Sequence, residues 1–402
     1  MCAFSPRGRF VAVGHLDGDV HVWEVSSGAR TLVRTLRPPP FAPTLRGRGI
    51  SALAWAGSAR ILLAVSCGGV LVAYDVAAGL VLRVLLLAPV LGSVSGAPRA
   101  LRSHPSEPTL ALLVPTAGMP FLIDWGGGGE GGAWQFSEAL LPPPISKKVR
   151  AQLARRGTGT RGIGTVVADA AWAPTLAAAA AGELFVATTR GDIVRLRVHM
   201  NKPNKNDGFD RGGAVGGGGV AGNRQRFDRD YSVVRLAATH TASPLVTPPE
   251  LRVSVTARGA GARGALLLTT RAGLVLFDAA ALAPLPSERY AEPVDNTALV
   301  SARFGAGDAF VFALPHAHSG HMAGGVYAFK RGAVGDVRLK RAPQESGGIV
   351  FFDSAPNQAM LVGIGARGET YTLAEPVVNR WPGPMYPPGE YGVKSVKRRQ
   401  ET

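Results

Sequence analysis

Residues 2–25 read CAFSPRGRFVAVGHLDGDVHVWEV, and residues 53–76 read LAWAGSARILLAVSCGGVLVAYDV. Phe4 to Trp23 spans 19 positions, as does Trp55 to Tyr74, so the second copy lies 51 positions after the first. Each copy has an aromatic lead, an apolar run, a Gly-bearing turn and an alternating strand that ends on an aromatic and an acid. Asp17-Gly18-Asp19 and Gly68-Gly69 stand at the turns, where left-handed backbone favours Gly and Asp. Self-similarity at a fixed spacing marks a repeat architecture.

Working outward, the same grammar returns five more times. Residues 89–125 hold a degenerate copy with TLALLVP and GMPFLIDW as its strands. Ala171-Trp172-Ala173-Pro174 leads to LFVATTRGDIVRLRV at 184–198, and ELRVSVTARG at 250–259 leads to LLLTTRAGLVLFD at 266–278. Val300–Phe304 leads to FVFALP and GGVYAFK, and Ile349–Asp353 leads to AMLVGIGARGETYTLAE at 359–375. Seven units of about 40 residues, each able to supply four antiparallel strands, describe an all-β fold: a seven-bladed WD40-type β-propeller. The expected layout is a propeller over 1–382, with inserted segments at 126–165 (basic and Gly-rich) and 199–230 (Gly-rich, read as a disordered loop). A short basic tail follows at 383–402.

Composition agrees. The chain has 402 residues, 46% of them hydrophobic and 18% charged. That is enough apolar material for a core and too little charge for a wholly disordered chain. Fifty-two glycines and 30 prolines, about one residue in five, exclude long helical bundles. The most apolar stretch, Gly79–Val94, is broken by Arg83 and Pro89 and is too short to span a bilayer. Met1–Arg7 lacks the charged lead and apolar core of a secretion signal. Two cysteines, Cys2 and Cys67, make no disulfide framework and no zinc site, so the reading expects a reducing compartment.

The net charge of +16 comes from 36 Arg and 8 Lys against 28 acids. It suggests a polyanionic partner, although Arg beside abundant Ala, Gly and Pro is also what a GC-biased coding sequence gives. Within 138–164, Lys147, Lys148, Arg150, Arg155, Arg156 and Arg161 stand against Glu138 alone. Ile145–Arg156 reads as a short helix after Pro144. That cluster is either a phosphate-tracking patch or a solvated basic loop. Lys394, Lys397, Arg398 and Arg399 form a second basic group, of the kind found in nuclear-localisation signals and nucleic-acid patches.

Signals for catalysis are weak. Gly157, Gly159 and Gly162 match GxGxxG, but no strand precedes and no long helix follows, as dinucleotide binding needs. The GGGG runs at 126–129 and 216–219 lack the Lys of a P-loop. His316, His318 and His321 are the best metal candidates by spacing, yet they sit where one strand turns into the next, which a polar loop also explains. Asp17, Asp19, Asp75, Asp192 and Asp278 lie at turns or strand ends, which are structural places. No nucleophile has a base beside it. The expectation is a non-enzymatic platform with no cofactor and no metal.

Order and irregularity of the units resemble one WD-repeat family: the propeller subunit of COMPASS/MLL histone H3 lysine-4 methyltransferases, retinoblastoma-binding protein five and its yeast counterpart. The opening unit is similar to that family's first blade. Pro89-Val90-Leu91, His104-Pro105 and Met119-Pro120-Phe121-Leu122-Ile123 resemble its third, and VVADAAWAP with LFVATTRGDIVRLRV its fourth. Asn379-Arg380-Trp381 followed by Met385-Tyr386-Pro387-Pro388-Gly389-Glu390-Tyr391 resembles its exit from the ring. The chain departs from the family in having Met1 directly before the first blade and VKSVKRRQET where the family has an acidic hinge.

The resemblance implies a nuclear, non-catalytic scaffold that supports complex assembly and nucleosome engagement. It implies a SET-domain methyltransferase subunit, a SPRY-domain subunit and a second WD-repeat subunit as partners, with Trp381, Tyr386, Glu390 and Tyr391 as partner contacts. DNA on the nucleosome would be met by Lys147, Lys148, Arg150, Arg155, Arg156, Lys397, Arg398 and Arg399. The alternative is a generic WD-repeat adaptor, such as a ubiquitin-ligase substrate receptor. No membrane partner is expected.

Overall fold

A computed structural model describes residues 1–26, 29–39, 49–57, 59–87, 98–116, 119–126, 132–135, 167–173, 182–188, 193–197, 235–237, 250–253, 264–270, 273–290, 299–315, 325–331, 337–341, 348–358 and 360–374. Their strands form seven antiparallel sheets, each built from one continuous stretch of chain. Blade 1 holds β1 (Cys2–Phe4), β2 (Phe10–Gly14), β3 (Val20–Ser26) and β4 (Ala29–Leu36). Blade 2 holds β5 (Ile50–Ala56), β6 (Ile61–Ser66), β7 (Val70–Asp75) and β8 (Leu80–Leu86). Blade 3 holds β9 (Pro98–Ser103), β10 (Leu110–Pro115), β11 (Phe121–Asp124) and β12 (Gly132–Gln135).

Blade 4 follows with β13 (Val167–Trp172), β14 (Glu183–Thr188), β15 (Ile193–Arg197) and β16 (Arg235–Ala237). Blade 5 holds β17 (Glu250–Val253), β18 (Ala265–Thr270), β19 (Gly273–Asp278) and β20 (Pro284–Tyr290). Blade 6 holds β21 (Leu299–Phe304), β22 (Phe310–Pro315), β23 (Gly325–Lys330) and β24 (Val337–Arg341). Blade 7 has three strands among the described residues: β25 (Ile349–Ser354), β26 (Met360–Gly365) and β27 (Thr370–Ala374).

Every unit found by its repeat is one sheet, and the repeat reaches single bonds. At the end of the third strand, a backbone N–H donates to the carbonyl just before the second strand: Val25 to Arg9, Val76 to Arg60, Trp125 to Thr109, Ala279 to Gly264 and Arg331 to Ala309, all at 2.8–3.0 Å. Blades 1 and 2 also share a bulge in the outermost strand. Val33 is the extra residue in β4 and Leu82 the extra residue in β8, an irregularity typical of sheet edges.

The turn acids have structural work. Asp278 Oδ1 accepts the N–H groups of Ala280 and Ala281 at 2.9 and 2.7 Å. Asp75 Oδ1 accepts from Ala78 at 3.0 Å, while its other oxygen pairs with Arg60 at 2.8 Å. The Ala78 N–H and the Arg60 bond hold the Asp75 carboxyl below the usual carboxylate range. His104, wholly buried, takes the N–H of Glu107 on Nδ1 at 2.9 Å and packs edge-on against Trp172 with ring centroids 4.5 Å apart. The His-Pro turn seen in the sequence is thus a capped turn wedged against the next blade.

A four-stranded sheet is apolar on both faces here: all six residues of β7 and of β13 are buried. Each face can leave water only against a neighbouring blade. The core accordingly divides into seven clusters, one per interface, running in order from blades 1 and 2 to blades 6 and 7. The seventh joins blade 7 to blade 1 through Cys2, Phe4, Val11, Val13, Val25, Ala355, Met360 and Val362. The ring closes. No helix among the described residues is long and apolar enough to cross a membrane.

Polar stitches follow the innermost strands around that ring. The Trp55 indole N–H donates to Ala3 O at 3.0 Å and the Trp172 indole to Arg102 O at 3.4 Å, each reaching back one blade. The Ser103 hydroxyl donates to Trp55 O and the Ser354 hydroxyl to Phe304 O, again one blade back. Closure uses Asp353, whose Oδ2 accepts the Phe4 N–H at 2.9 Å while Oδ1 lies 3.4 Å from the buried Arg303. Asp353→Ala therefore takes the acceptor from the Phe4 N–H and the countercharge from Arg303, which keeps Ser301 Oγ and Ala302 O at 2.8 Å. We expect a loss of about 2–3 kcal/mol in urea unfolding, against a change within about 0.5 kcal/mol for Arg367→Ala at an exposed turn.

Candidate protein-interaction surface

Arginine is the residue to follow, because it supplies most of the net charge. Arg30 in β4 donates to Thr370 O of blade 7 at 3.0 Å, and Arg34 to Ala77 O of blade 2 at 3.1 Å. Arg99 donates to Ala168 O across blades 3 and 4 at 2.8 Å, and Arg195 to Ala280 O across blades 4 and 5 at 3.4 Å. Arg102 reaches the buried Asp169 of the next blade at 3.4 Å, as Arg303 reaches Asp353. The forked guanidinium suits this use, since it bonds a neighbour's carbonyl while its stem covers apolar surface. Six arginines of the described blades thus tie one blade to the next.

The end of the ring formed by the β2–β3 turn of blade 1 presents a different chemistry. Leu16 stands 87% exposed at its tip. The turn beneath it is tightly tied: His15 N–H donates to Asp19 O at 2.9 Å, and Ile50 N–H donates to His15 O at 3.0 Å. Asp17 Oδ1 accepts the Asp19 N–H at 2.9 Å, and Gly18 takes a φ of 95°, where a side chain would be strained. Gly49 passes so close that a Cβ there would lie 3.0 Å from the Leu16 Cα.

Behind Leu16 the His15 and His21 rings lie 4.2 Å apart, His21 meets Trp23 edge-on at 6.5 Å, and Asp19 lies 3.7 Å from Arg37. A rigid apolar point ringed by imidazoles and carboxylates is suited to anchoring a protein partner. Nothing in it has the arrangement of a catalytic centre. Partial burial, and then the neighbouring His21, hold the His15 imidazole below the usual histidine range.

The residues singled out from sequence for partner and nucleosome contact fall elsewhere. Lys147, Lys148, Arg150, Arg155, Arg156, Trp381, Tyr386, Glu390, Tyr391, Lys397, Arg398 and Arg399 all lie outside the described residues. So do His316, His318, His321, the GxGxxG run and the inserted segment 199–230. Among the described residues no group of three or more His, Cys, Asp and Glu is placed to hold a metal. Sequence reading took Asp17-Gly18-Asp19 as a turn and gave Leu16 no role. The available signal was Leu16 itself, an aliphatic inside a Gly-Asp turn.

With the geometry in hand, comparison with known proteins places the fold. No family model and no curated protein matches the chain. Solved structures do. The β-propeller domain of Cps50 (Swd1) from Myceliophteria thermophila superimposes with a TM-score of 0.63 at 16% identity, over 93% of this chain and 96% of that one. The C-terminal WD40 domain of Sif2 gives 0.56 at 12% identity, over 93% and 95%. The fold is a seven-bladed WD40-type β-propeller.

The His15 corner gives a measurable consequence. By NMR its imidazole is expected to titrate below the ordinary value of about 6.5, and to move upward in His21→Ala, which removes a like charge. Because the folded form resists protonation, stability falls as pH drops below the unfolded value. A His15 titration at the ordinary value, unmoved by the substitution, would contradict this geometry.

Proposed function

We propose that the chain is a non-catalytic scaffold subunit of a nuclear histone H3 lysine-4 methyltransferase complex of the COMPASS type. One observation carries the reading: seven units, in an order that resembles the family's, form a ring that matches the Cps50 (Swd1) propeller over nearly the whole length of both, and the sequence at 379–391 resembles the family's exit. In this reading the propeller is the rigid body of the assembly. Trp381, Tyr386, Glu390 and Tyr391 meet the SET-domain and SPRY-domain subunits, and a second WD-repeat subunit joins them.

In this reading nucleosome contact falls to the inserted and terminal cations, since Arg30, Arg34, Arg99, Arg102, Arg195 and Arg303 bond to neighbouring blades. Lys147, Lys148, Arg150, Arg155 and Arg156 with Lys397, Arg398 and Arg399 would meet phosphates without reading bases.

Affinity purification of the tagged chain from nuclear extract tests the assembly. Recovery of SET-domain and SPRY-domain subunits is expected, and a cullin adaptor in their place would replace this reading with the generic adaptor. For the nucleosome, affinity should fall steeply with salt. Alanine at the five cations of 147–156 should flatten the slope of log affinity against log salt by about one for each phosphate that a removed cation had neutralised. An unchanged slope would remove that segment from the interface.

A further inference from the structure

The two imidazoles behind Leu16 share one face of the β2–β3 hairpin. Val13 pairs with His21 across the strands, so His15, two residues on, stands diagonal to it. Their rings lie 4.2 Å apart, a contact that suits neutral imidazoles and sets two charged ones against each other. His15 is also what closes the turn. Its N–H donates to Asp19 O at 2.9 Å, and its carbonyl accepts the Ile50 N–H at 3.0 Å. The second bond ties the turn to the first residue of β5. A Cβ on Gly14 would lie 2.6 Å from the Ile50 Cβ, so the hairpin and the entry to blade 2 touch directly. A narrow cavity lined by Gly18, Pro38, Ile50, Ser66 and Tyr74 leaves the underside of the turn incompletely packed.

The surroundings of His15 make a second proton costly. Its Nε2 is covered and has no hydrogen-bond partner, and both ring nitrogens of an imidazolium are donors. Charging the ring therefore leaves a covered N–H without an acceptor. The carboxylates of the turn are occupied elsewhere: Asp17 Oδ1 takes the Asp19 N–H at 2.9 Å, and Asp19 Oδ2 lies 3.7 Å from Arg37. From β1 the Met1 α-amino group, which donates to Gly14 O at 3.3 Å, adds a further positive charge. Blade 2 presents the uncharged Gly49 and Ile50, then Cys67, whose N–H donates to Gly49 O at 2.8 Å. It also presents the Tyr74 phenol, kept protonated by burial and by the charge of Asp19.

We propose that the His15–His21 pair is a proton-operated latch on the Leu16 turn. With both rings neutral the turn stays closed and presents Leu16 rigidly. Charging both rings parts them, breaks the His15 bonds to Asp19 and Ile50, and withdraws the anchor. An opened turn takes its proton at the ordinary histidine value of about 6.5, and the closed turn takes it lower. Closure is therefore fully supported above that value and is lost as pH falls below it. A partner held through Leu16 is released by mild acid. The latch stands on the hairpin of blade 1 alone and is independent of the methyltransferase reading.

The test is hydrogen exchange of the full chain at residue level, with rates corrected for the intrinsic effect of pH. Between about pH 7.5 and about pH 5, protection of the His15 and Ile50 amides is expected to fall at least about threefold. Protection of the Val25 amide, bonded to Arg9 O at the other end of the same blade, should hold. His21→Gln keeps a polar side chain without the charge, and should leave the two turn amides nearly indifferent to pH. His15→Gln should do the same. A merely structural His21 would instead lower protection equally at both pH values, which would overturn the latch. So would Ile50 protection that ignores pH in the parent chain, or a fall that survives both substitutions. A fall shared by Val25 would also overturn it, since acid would then be opening the whole blade and not the turn.

Discussion

A sheet that is apolar on both faces has one way to leave water, and that is between two others like it. This requirement governs the molecule. Each blade is a local meander of short turns, easily specified by its own residues, but a single blade stops short of stability because both faces remain wet. Stacking seven in a ring gives every face a partner, at the cost of requiring the last blade to meet the first. Phe4, Cys2 and Val13 against Met360 and Val362 make that meeting, and Asp353 fastens it with the Phe4 N–H.

The second requirement is polar. Strands crowded around an axis bring backbone carbonyls near neighbouring blades, where an unsatisfied acceptor is costly. The chain answers with long donors that span the gap: two indoles, two hydroxyls and a series of guanidiniums. Lysine would deliver a point charge that keeps its water, whereas arginine presents several donors in a plane and sheds water more readily. The excess of Arg over Lys thus has a structural use in the described blades, whatever its origin in the coding sequence.

How far the sequence could be read follows from the same division. The spacing of Phe4 to Trp23 and of Trp55 to Tyr74 is local, so each blade announced itself through alternation, aromatic ends and Gly-Asp turns. The turn roles of Asp75 and Asp278 were legible for the same reason, each acid lying two or three residues from the N–H groups it accepts. Inter-blade partners were not, because Arg30 meets Thr370 and Phe4 meets Asp353 some 340 and 349 positions away. No local pattern encodes such a pairing. The Leu16 turn escaped notice because part of its rigidity comes from Gly49 and Ile50 of the following blade. As for the candidate contacts at 147–156 and 381–399, they rest on composition and family likeness, outside the described residues.

Closure of the ring is the claim on which the rest depends, and native-state hydrogen exchange followed by mass spectrometry tests it most directly. If blade 7 is fastened to blade 1 as described, the amides of β1 and β25 exchange only with the slow, cooperative opening that also frees β5 and β9. Early exchange of β1 and β25, while β5 and β9 stay protected, would show an open seam at that interface and contradict closure.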